Sequence, residues 1–299
     1  MKCNFCGSWE ADLLYPATLG EDSLANNMEH FRCTSANYGQ HGDIVRCRWC
    51  GLVYTNLRQK EEFIIKSYGE VVDQAYLEEW QGRLLTFKKN LRPLEKLVPL
   101  ADERKLLDVG CYVGIFLEVA EEAGWEAWGV EPCRWAAEEA WHRGLKVEAC
   151  TLQEANFPAD FFDVVTMWDV IEHFADPLRE LREVHRLLKK EGVLCIHTIN
   201  IESPLAKLMG ANWPWLMEMH LYYFSPETLS AMLRKAGFAP IKKMTQGRFL
   251  RLGYLISRLV PYSQRLAGGL GRLAGILGLG RVPMYVNFGD LFTLFARKV

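Results

Sequence analysis

The sequence lacks any long apolar run: no stretch reaches the ~20 residues that a membrane-spanning helix needs, so no such helix is expected. It also lacks internal repeats and low-complexity tails, so neither a repeat array nor a disordered tail is expected. No secretory signal is evident, and nine cysteines without one suggest a reducing cytoplasm. The 299 residues are 49% hydrophobic, enough for the cores of one large domain and one small domain.

Acidic residues are missing from the interval between Glu227 and Asp290, which nevertheless carries ten lysines and arginines. Its basic and apolar part, residues 248–282, has arginines at every seventh position, which on a helix would form one slowly drifting stripe. These arginines are Arg251, Arg258, Arg265 and Arg272. Pro261 is expected to break or kink the helix. Three interpretations stay open: a helix lying peripherally in a membrane interface, an ordinary packed helix pair or dimer contact, and a dock for a phosphate-bearing substrate.

Two C-x-x-C-G motifs stand near the start of the chain, at residues 3–7 and 47–51. The two-residue spacer lets both thiolates of one motif reach the same ion, and the glycine lets the backbone turn beneath them. Four thiolates suit a closed, structural zinc site, and the expected ligands are Cys3, Cys6, Cys47 and Cys50. Residues 1–57 are therefore predicted to form a zinc ribbon. Cys33 is an alternative ligand, and thiol redox chemistry is the less favoured interpretation.

The most informative stretch, residues 106–117, has the pattern of a strand, a glycine-punctuated turn and the start of a helix. The strand ends in Asp108, and Gly110 and Gly114 mark the turn. In α/β sheets this arrangement cradles a nucleotide-like ligand at a helix N-terminus. Roughly 20 residues further on, a second short strand ends in Glu131, where such folds place a carboxylate on ribose hydroxyls.

Strands and helices continue to alternate after this point, which predicts an α/β fold with a doubly wound, mostly parallel sheet. Residues 172–177 are E-H-F-A-D-P, and residues 220–226 are H-L-Y-Y-F-S-P. With the turn at 106–117 and with Glu131, these motifs stand in the order found in class I S-adenosylmethionine-dependent methyltransferases, which the segment from about 106 to 238 resembles. The resemblance implies a Rossmann-like methyltransferase sheet, preceded here by the zinc ribbon.

The resemblance also predicts the domain boundaries of the chain. Residues 58–100 are expected to form a helical connector, and residues 101–299 the methyltransferase domain. Members of the family usually end in an antiparallel pair of strands, here expected at residues 240–245 and 289–297. The basic apolar segment at 248–282 is then an insertion between these last two strands.

The cofactor contacts of the family carry over to a set of positions in this sequence. They are Asp108, Gly110, Cys111, Tyr112, Gly114, Glu131, Thr151, Leu152 and Asp169. Tyr112 departs from the family, which has glycine there because the backbone approaches the cofactor or takes a positive φ. A tyrosine fits if its φ stays negative and its ring points outward or covers the methionine end of the cofactor. A turn that no longer binds cofactor is the competing interpretation.

The resemblance places the chemistry just after the fourth strand. Some class I O-methyltransferases bind a divalent metal through E-x-x-E-H at this point, and Asp169, Glu172 and His173 form a similar D-x-x-E-H here. These groups can hold Mg²⁺ against a substrate hydroxyl. Alternatively, Asp169 contacts the cofactor, and Glu172 caps its own helix or forms an ion pair within it. His220 or His173 is expected to act as the base that takes a proton from the acceptor, and His197 ranks below His220.

These features predict a methyltransferase that modifies a small molecule, with O-methyl transfer to a sugar, glycan or lipid-linked acceptor favoured. Transfer to RNA held by the zinc ribbon is one alternative, although the ribbon mixes acids with its arginines and nucleic acid is not the expected partner. A non-catalytic interaction protein that lost its cofactor through Tyr112 is the other. The expected location is the cytoplasm, at the inner membrane face if the basic segment binds lipid.

Overall fold

The computed structural model describes residues 1–19, 32, 34, 38–56, 61–69, 71–98, 103–260 and 262–299. Cys33, Pro261 and the residues at the domain boundaries predicted near 57 and 100 lie outside the described residues, so these boundaries stay predictions. A small antiparallel sheet comes first, with strands β1 (Ala11–Tyr15), β2 (Asp43–Cys47) and β3 (Val53–Asn56). Helices α1 (Glu61–Gly69), α2 (Gln74–Glu78) and α3 (Trp80–Glu95) follow.

Strands and helices then alternate through the central part of the chain. The elements are β4 (Lys105–Val109), α4 (Ile115–Glu122), β5 (Glu126–Val130), α5 (Arg134–Trp141), β6 (Lys146–Glu148), β7 (Phe162–Trp168), α6 (Pro177–Leu187) and β8 (Leu188–Ile199). They continue with α7 (Pro204–Met209), β9 (Tyr222–Tyr223), α8 (Pro226–Lys235) and β10 (Phe238–Thr245). The start of helix α6 has a local cause: Asp176 accepts a hydrogen bond from the backbone N–H of Arg179 (2.9 Å), and Pro177 stands in the first turn.

The last part of the chain begins and ends as strand. Its elements are β11 (Arg248–Arg251), α9 (Leu252–Ser257), α10 (Gln264–Ile276), β12 (Pro283–Val286) and β13 (Leu291–Lys298). β11 and β12 form a separate antiparallel pair, so everything between β10 and β13 is an insertion relative to the central sheet. No helix in the described part of the chain is both long and apolar enough to cross a membrane.

Across the described residues, the central sheet has the strand order β10-β13-β8-β7-β4-β5-β6. Its members β4, β5, β6, β7 and β8 are parallel, whereas β13 is antiparallel to β8 and β10 is antiparallel to β13. The predicted fold class, a doubly wound Rossmann-like sheet, is therefore confirmed. The strand order reverses between β4 and β7, so the crevice at the carboxyl ends of these strands is where such a sheet binds its ligand.

The small N-terminal sheet is built into the body of the protein. β9 is its fourth strand, and Val53 and Tyr54 of β3 lie opposite Tyr223 and Tyr222. Tyr54 is buried in the same apolar cluster as residues of β4 and β7. The N-terminal cysteine motifs and the central sheet therefore share one core.

The predicted single arginine stripe is wrong. Arg251 ends strand β11, and its guanidinium donates to the buried carboxylate of Glu79 (2.6 Å). Arg258 follows α9 and donates to the backbone carbonyl of Thr34 (2.7 Å). Only the last two members of the stripe, Arg265 and Arg272, share one helix, α10, where both are exposed. The segment cannot be one helix because the pairing of β11 with β12 and the inward ion pair hold its first residues extended.

Candidate active site

A cavity of about 1110 Å³ opens at the carboxyl ends of β4, β5 and β7, beneath the insertion. Many predicted site residues line it: Gly110, Tyr112, Glu131, Thr151, Leu152, Asp169, Glu172, His173 and His220. Three others do not: Asp108, Cys111 and Gly114. These three residues lie at the same turn but do not face the cavity.

The turn after β4 needs glycine at two points. Gly110 has a φ of 68°, and a Cβ there would lie 2.7 Å from the side chain of Val170. Gly114 has a φ of 81°, and a Cβ there would lie 2.4 Å from the side chain of Leu145. Both positions combine a left-handed conformation with close packing, so a side chain would move the loop away from the crevice.

Tyr112 does not take the conformation expected of it. Its φ is 50°, so the negative φ expected for a tyrosine at this position is wrong. Its ring is buried, not directed outward, and packs edge-on against Tyr76 (centroids 4.4 Å apart) and Trp135 (5.9 Å). Aromatic packing can offset the ~1–2 kcal/mol that a left-handed conformation costs a residue with a Cβ. The tyrosine thus replaces glycine without changing the positive φ of the turn.

Glu131 binds the turn with both carboxylate oxygens. The backbone N–H of Tyr112 donates to one oxygen (2.9 Å) and the N–H of Cys133 to the other (2.8 Å). Burial raises the pKa of Glu131 to about 7, although these two hydrogen bonds lower it. Each oxygen has a second lone pair, which leaves the carboxylate able to accept two ribose hydroxyls from the cavity side.

Asp108 supports the same turn from within the core. It is buried and accepts a hydrogen bond from the hydroxyl of Thr166 on β7 (2.6 Å). Burial raises the pKa of Asp108 to about 8. The side chain therefore ties the end of β4 to β7 across the switch point and does not reach the cavity.

Glu172, His173 and His220 form a cluster at one end of the cavity. One ligand-type atom from each lies within 4.8 Å of the others. The backbone carbonyl of Trp215 accepts a hydrogen bond from Nδ1 of His220 (2.7 Å), and that of Met219 accepts one from Nδ1 of His173 (2.8 Å). Since a carbonyl can only accept, His220 is protonated at Nδ1 and carries its lone pair at Nε2. Nδ1 of His173 also lies 2.7 Å from the hydroxyl of Tyr68, which can donate or accept, so these contacts fix the tautomer of His220 alone.

The surroundings keep this cluster neutral. Burial lowers the pKa of His220 to about 3, and it lowers the pKa of His173 as well. Burial, followed by the nearby charge of Asp169, raises the pKa of Glu172 to about 8. Glu172 also accepts a hydrogen bond from the hydroxyl of Thr198 (2.8 Å). A neutral imidazole with a free Nε2 can accept a proton or bind a metal ion.

Asp169 lies outside this cluster, which corrects the predicted Mg²⁺ ligand set. Its φ is 56°, and its carboxylate accepts a hydrogen bond from Arg248 of the insertion (2.7 Å). Burial would raise the pKa of Asp169, but Arg248 and then His197 (3.8 Å away) outweigh it and lower the pKa. Asp169 is paired with an arginine, and the third member of the cluster with Glu172 and His173 is His220.

Two residues at the site were not anticipated from the sequence. Arg248 comes directly after the predicted strand 240–245, in the acid-free interval, and it also lies over the ring of Trp215 (5.3 Å). Asp290 is the first acid after that interval; it is buried and accepts hydrogen bonds from the indole N–H groups of Trp213 (3.2 Å) and Trp215 (2.9 Å). Since the carbonyl of Trp215 orients His220, Asp290 helps to fix the position of this imidazole.

The four cysteines of the two N-terminal motifs come together, and their sulfur atoms all lie within 4.8 Å of one another. Cys3 and Cys50 have their sulfurs 3.5 Å apart, as do Cys6 and Cys47. These distances are too long for disulfides, and they are close to the ~3.8 Å edge of a tetrahedron with zinc–sulfur bonds of about 2.3 Å.

The fold, the glycine turn and the strand-end carboxylate define a class: this is the domain of an S-adenosylmethionine-dependent methyltransferase. A family model for the methyltransferase domain matches residues 79–243, more than half of the chain, and the chain belongs to this family. A solved S-adenosylmethionine-dependent methyltransferase from Archaeoglobus fulgidus is 21% identical, with a TM-score of 0.52 over 76% of this chain and 100% of that one. That likeness supports the fold.

Curated relatives include the ubiquinone biosynthesis O-methyltransferase of Haemophilus ducreyi, which is 35% identical over 123 residues. This match covers 37% of the present chain and 52% of the relative, so the chain spans about half of that protein's length. The protein of the same description from Bordetella avium is 28% identical over 197 residues, covering 56% of this chain and 82% of the relative.

Proposed function

We propose that the protein transfers a methyl group from S-adenosylmethionine to a hydroxyl oxygen of a small molecule, either a sugar or glycan or a lipid-linked intermediate. The observation that carries the proposal is the cluster of Glu172, His173 and His220 in the same cavity as Gly110 and Glu131. An oxygen acceptor needs a group that removes its proton, and this cluster offers the uncharged imidazole of His220, whose Nε2 is unprotonated. The O-methyltransferase relatives are consistent with this choice.

The cofactor would bind along the turn after β4. The positive φ of Gly110 and Tyr112 turns the loop around the crevice, and Glu131 presents its remaining lone pairs there for the ribose. Thr151 and Leu152 line the cavity beyond β6, where the adenine edge would lie. When bound, the cofactor supplies a methyl group on a sulfonium, a good leaving group.

His220 would act as the base. Nε2 of His220 would receive the proton that the acceptor hydroxyl gives up when the bound cofactor supplies its methyl group to that oxygen. The carbonyl of Trp215 accepts a hydrogen bond from Nδ1–H of His220, so Nε2 is directed away from Trp215. A divalent cation also fits this cluster, because Glu172, His173 and His220 converge within 4.8 Å; when bound, such an ion lowers the pKa of a coordinated hydroxyl.

The test is transfer of isotopically labelled methyl groups from S-adenosylmethionine into a fractionated cell extract, with Glu131→Ala as the blank. Label in the glycan or lipid fraction supports the proposal, and its loss in His220→Ala assigns the base. Label in RNA would favour the RNA alternative. No label, together with no binding of S-adenosylhomocysteine, would favour the non-catalytic alternative. Adding Mg²⁺ to purified, zinc-loaded protein that has been freed of other divalent ions shows whether a second ion takes part.

For the N-terminal motifs we propose one structural zinc ion held by Cys3, Cys6, Cys47 and Cys50. The support is the sulfur geometry and the two turns that follow the first cysteine of each motif. The N–H of Gly7 donates to the carbonyl of Cys3 (2.8 Å), and the N–H of Gly51 donates to that of Cys47 (3.0 Å). Four protein ligands leave no open position, so the site would stabilise the fold and take no part in catalysis.

A further inference from the structure

One face of helix α10 is apolar and uncovered. The leucines on this face follow one another at spacings of four and three residues, so they form a single stripe. They are Leu266, Leu270, Leu273 and Leu277. The adjacent side of the helix, about a quarter-turn away, packs inward through Ala267 and Ala274, next to Ile256 of α9. Leu273 is 54% exposed and neighbouring Ile276 is 83% exposed, so a bilayer or another protein could cover this stripe.

Positive charge flanks the leucine stripe. Arg265 and Arg272 lie seven residues apart on α10, and Arg281 follows the helix; all three are exposed. No acidic residue occurs anywhere between Glu227 and Asp290. We call the leucine stripe and these three arginines the insertion face. It joins apolar side chains to positive charge with no acid of its own, as in helices that lie in the surface of an anionic bilayer.

Two exposed aromatic residues of the insertion line the cavity. Tyr262, just before α10, and Phe288, just after β12, both line the cavity and are 51% and 63% exposed. Leu255 of α9 lines the same cavity. The insertion therefore contributes apolar side chains both to the cavity wall and to the surface around α10.

We propose that the insertion face binds an anionic lipid bilayer, with α10 lying in the plane of the interface and the cavity mouth directed toward the lipid. The arginines would contact lipid phosphates while the leucines enter the acyl boundary. A second copy of this chain fits less well, because a two-fold contact through the same patch would bring arginine against arginine. α10 has 13 residues, which suits a helix lying in the interface.

The proposal extends the proposed function and rests on it in one respect: a lipid-linked acceptor would enter the active site from the bilayer. Its test uses neither acceptor nor methyl transfer, so the two can fail separately. Binding of the full chain is measured by co-sedimentation with vesicles of phosphatidylcholine alone and with about 30% phosphatidylglycerol, at about 0.1 M and about 1 M salt. We expect binding to the anionic vesicles at low salt, weakened at high salt, and little binding to the neutral ones.

Two variants separate the contributions. Arg265→Gln, Arg272→Gln and Arg281→Gln together are expected to weaken binding about 100-fold, since each arginine near an anionic leaflet contributes about a fivefold factor. The pair Leu266→Glu and Leu273→Glu is expected to weaken it by about as much while leaving the thermal unfolding temperature unchanged, because both side chains are 54% exposed.

The matched control removes three exposed basic charges outside the insertion, by Arg134→Gln, Arg182→Gln and Lys190→Gln. This variant is expected to bind anionic vesicles as the unchanged protein does. An equal loss in the control would show that only net charge matters and would overturn the proposal. So would unchanged binding in the arginine variant, or self-association that depends on Leu273 without any binding to vesicles.

Discussion

Replacing Glu131 by glutamine tests the cofactor site most directly. Each oxygen of the carboxylate accepts one backbone N–H, from Tyr112 and from Cys133. An amide has only one oxygen, so its NH₂ group must face one of these donors. That bond is lost, one side of the turn is released, and one of the two acceptors expected to face the ribose becomes a donor.

The size of the effect follows from these contacts. A hydrogen bond to a charged group contributes about 1.5–3 kcal/mol, and each 1.4 kcal/mol is about a factor of ten in affinity. Loss of one such bond to the ribose is therefore expected to weaken binding of S-adenosylhomocysteine about 10- to 150-fold. The fold should persist, because the neighbouring strands keep their ladder bonds on both sides of β5.

Isothermal titration with S-adenosylhomocysteine measures this affinity at about pH 8, above the pKa of about 7 that burial gives Glu131. Glu148→Gln is the matched control: it removes the same charge from an exposed position at the end of the neighbouring strand β6. We expect the control to bind normally. An affinity for Glu131→Gln within about twofold of the unchanged protein would refute the ribose assignment.

Further predictions concern pH, the base and the metal. Because the pKa of Glu131 is raised to about 7, lowering the pH from about 8 to about 6 protonates it and should weaken cofactor binding about tenfold in titrations; Glu131→Gln should show no such pH dependence. His220→Ala is expected to lower kcat by a factor of about 10²–10⁴ with unchanged cofactor affinity, whereas the exposed His142→Ala keeps full activity; equal kcat values would reject His220 as base. Cys50→Ser is expected to lose about one zinc per chain by elemental analysis. It is also expected to lower Tm by about 10 °C or more, because the sheet next to the cysteines includes β9 and its loss would disturb the main core. An unchanged Tm would contradict a structural ion.

The sequence was sufficient to predict the central sheet, because its signals are local. The strand, turn and helix at residues 106–117 follow from hydrophobic periodicity and two glycines, and both glycines do take a positive φ. The paired cysteine motifs likewise predicted a cluster that the structure brings together. In each case the signal is a short motif whose residue types are fixed by their own spacing, even where two such motifs then meet across the fold.

Other features depend on partners distant in the chain, and there the sequence misled. Tyr112 was expected to need a negative φ, but Tyr76 and Trp135 pack on its ring and stabilise the positive one. The seven-residue spacing of arginines suggested one helix, but Arg251 is held by Glu79, a residue of a different helical region. Periodicity cannot reveal such contacts, because it carries no information on what lies across the core.

The insertion shows how one interval of basic sequence can serve two roles. Its ends face inward: Arg248 near the start neutralises Asp169, and Asp290 just after the end holds Trp215, whose carbonyl orients His220. Its middle, α10, faces outward with exposed arginines and leucines. The inward charges are paired: Arg248 lowers the pKa of Asp169, and Asp290 accepts the indole N–H of Trp215 beside His220. The outward charges have no acids near them in the sequence, which leaves them available to an external anion. The lack of acids in this interval is therefore best explained by the exposed side of α10. The contacts of Arg248 and Asp290 explain why the segment lies over the cavity.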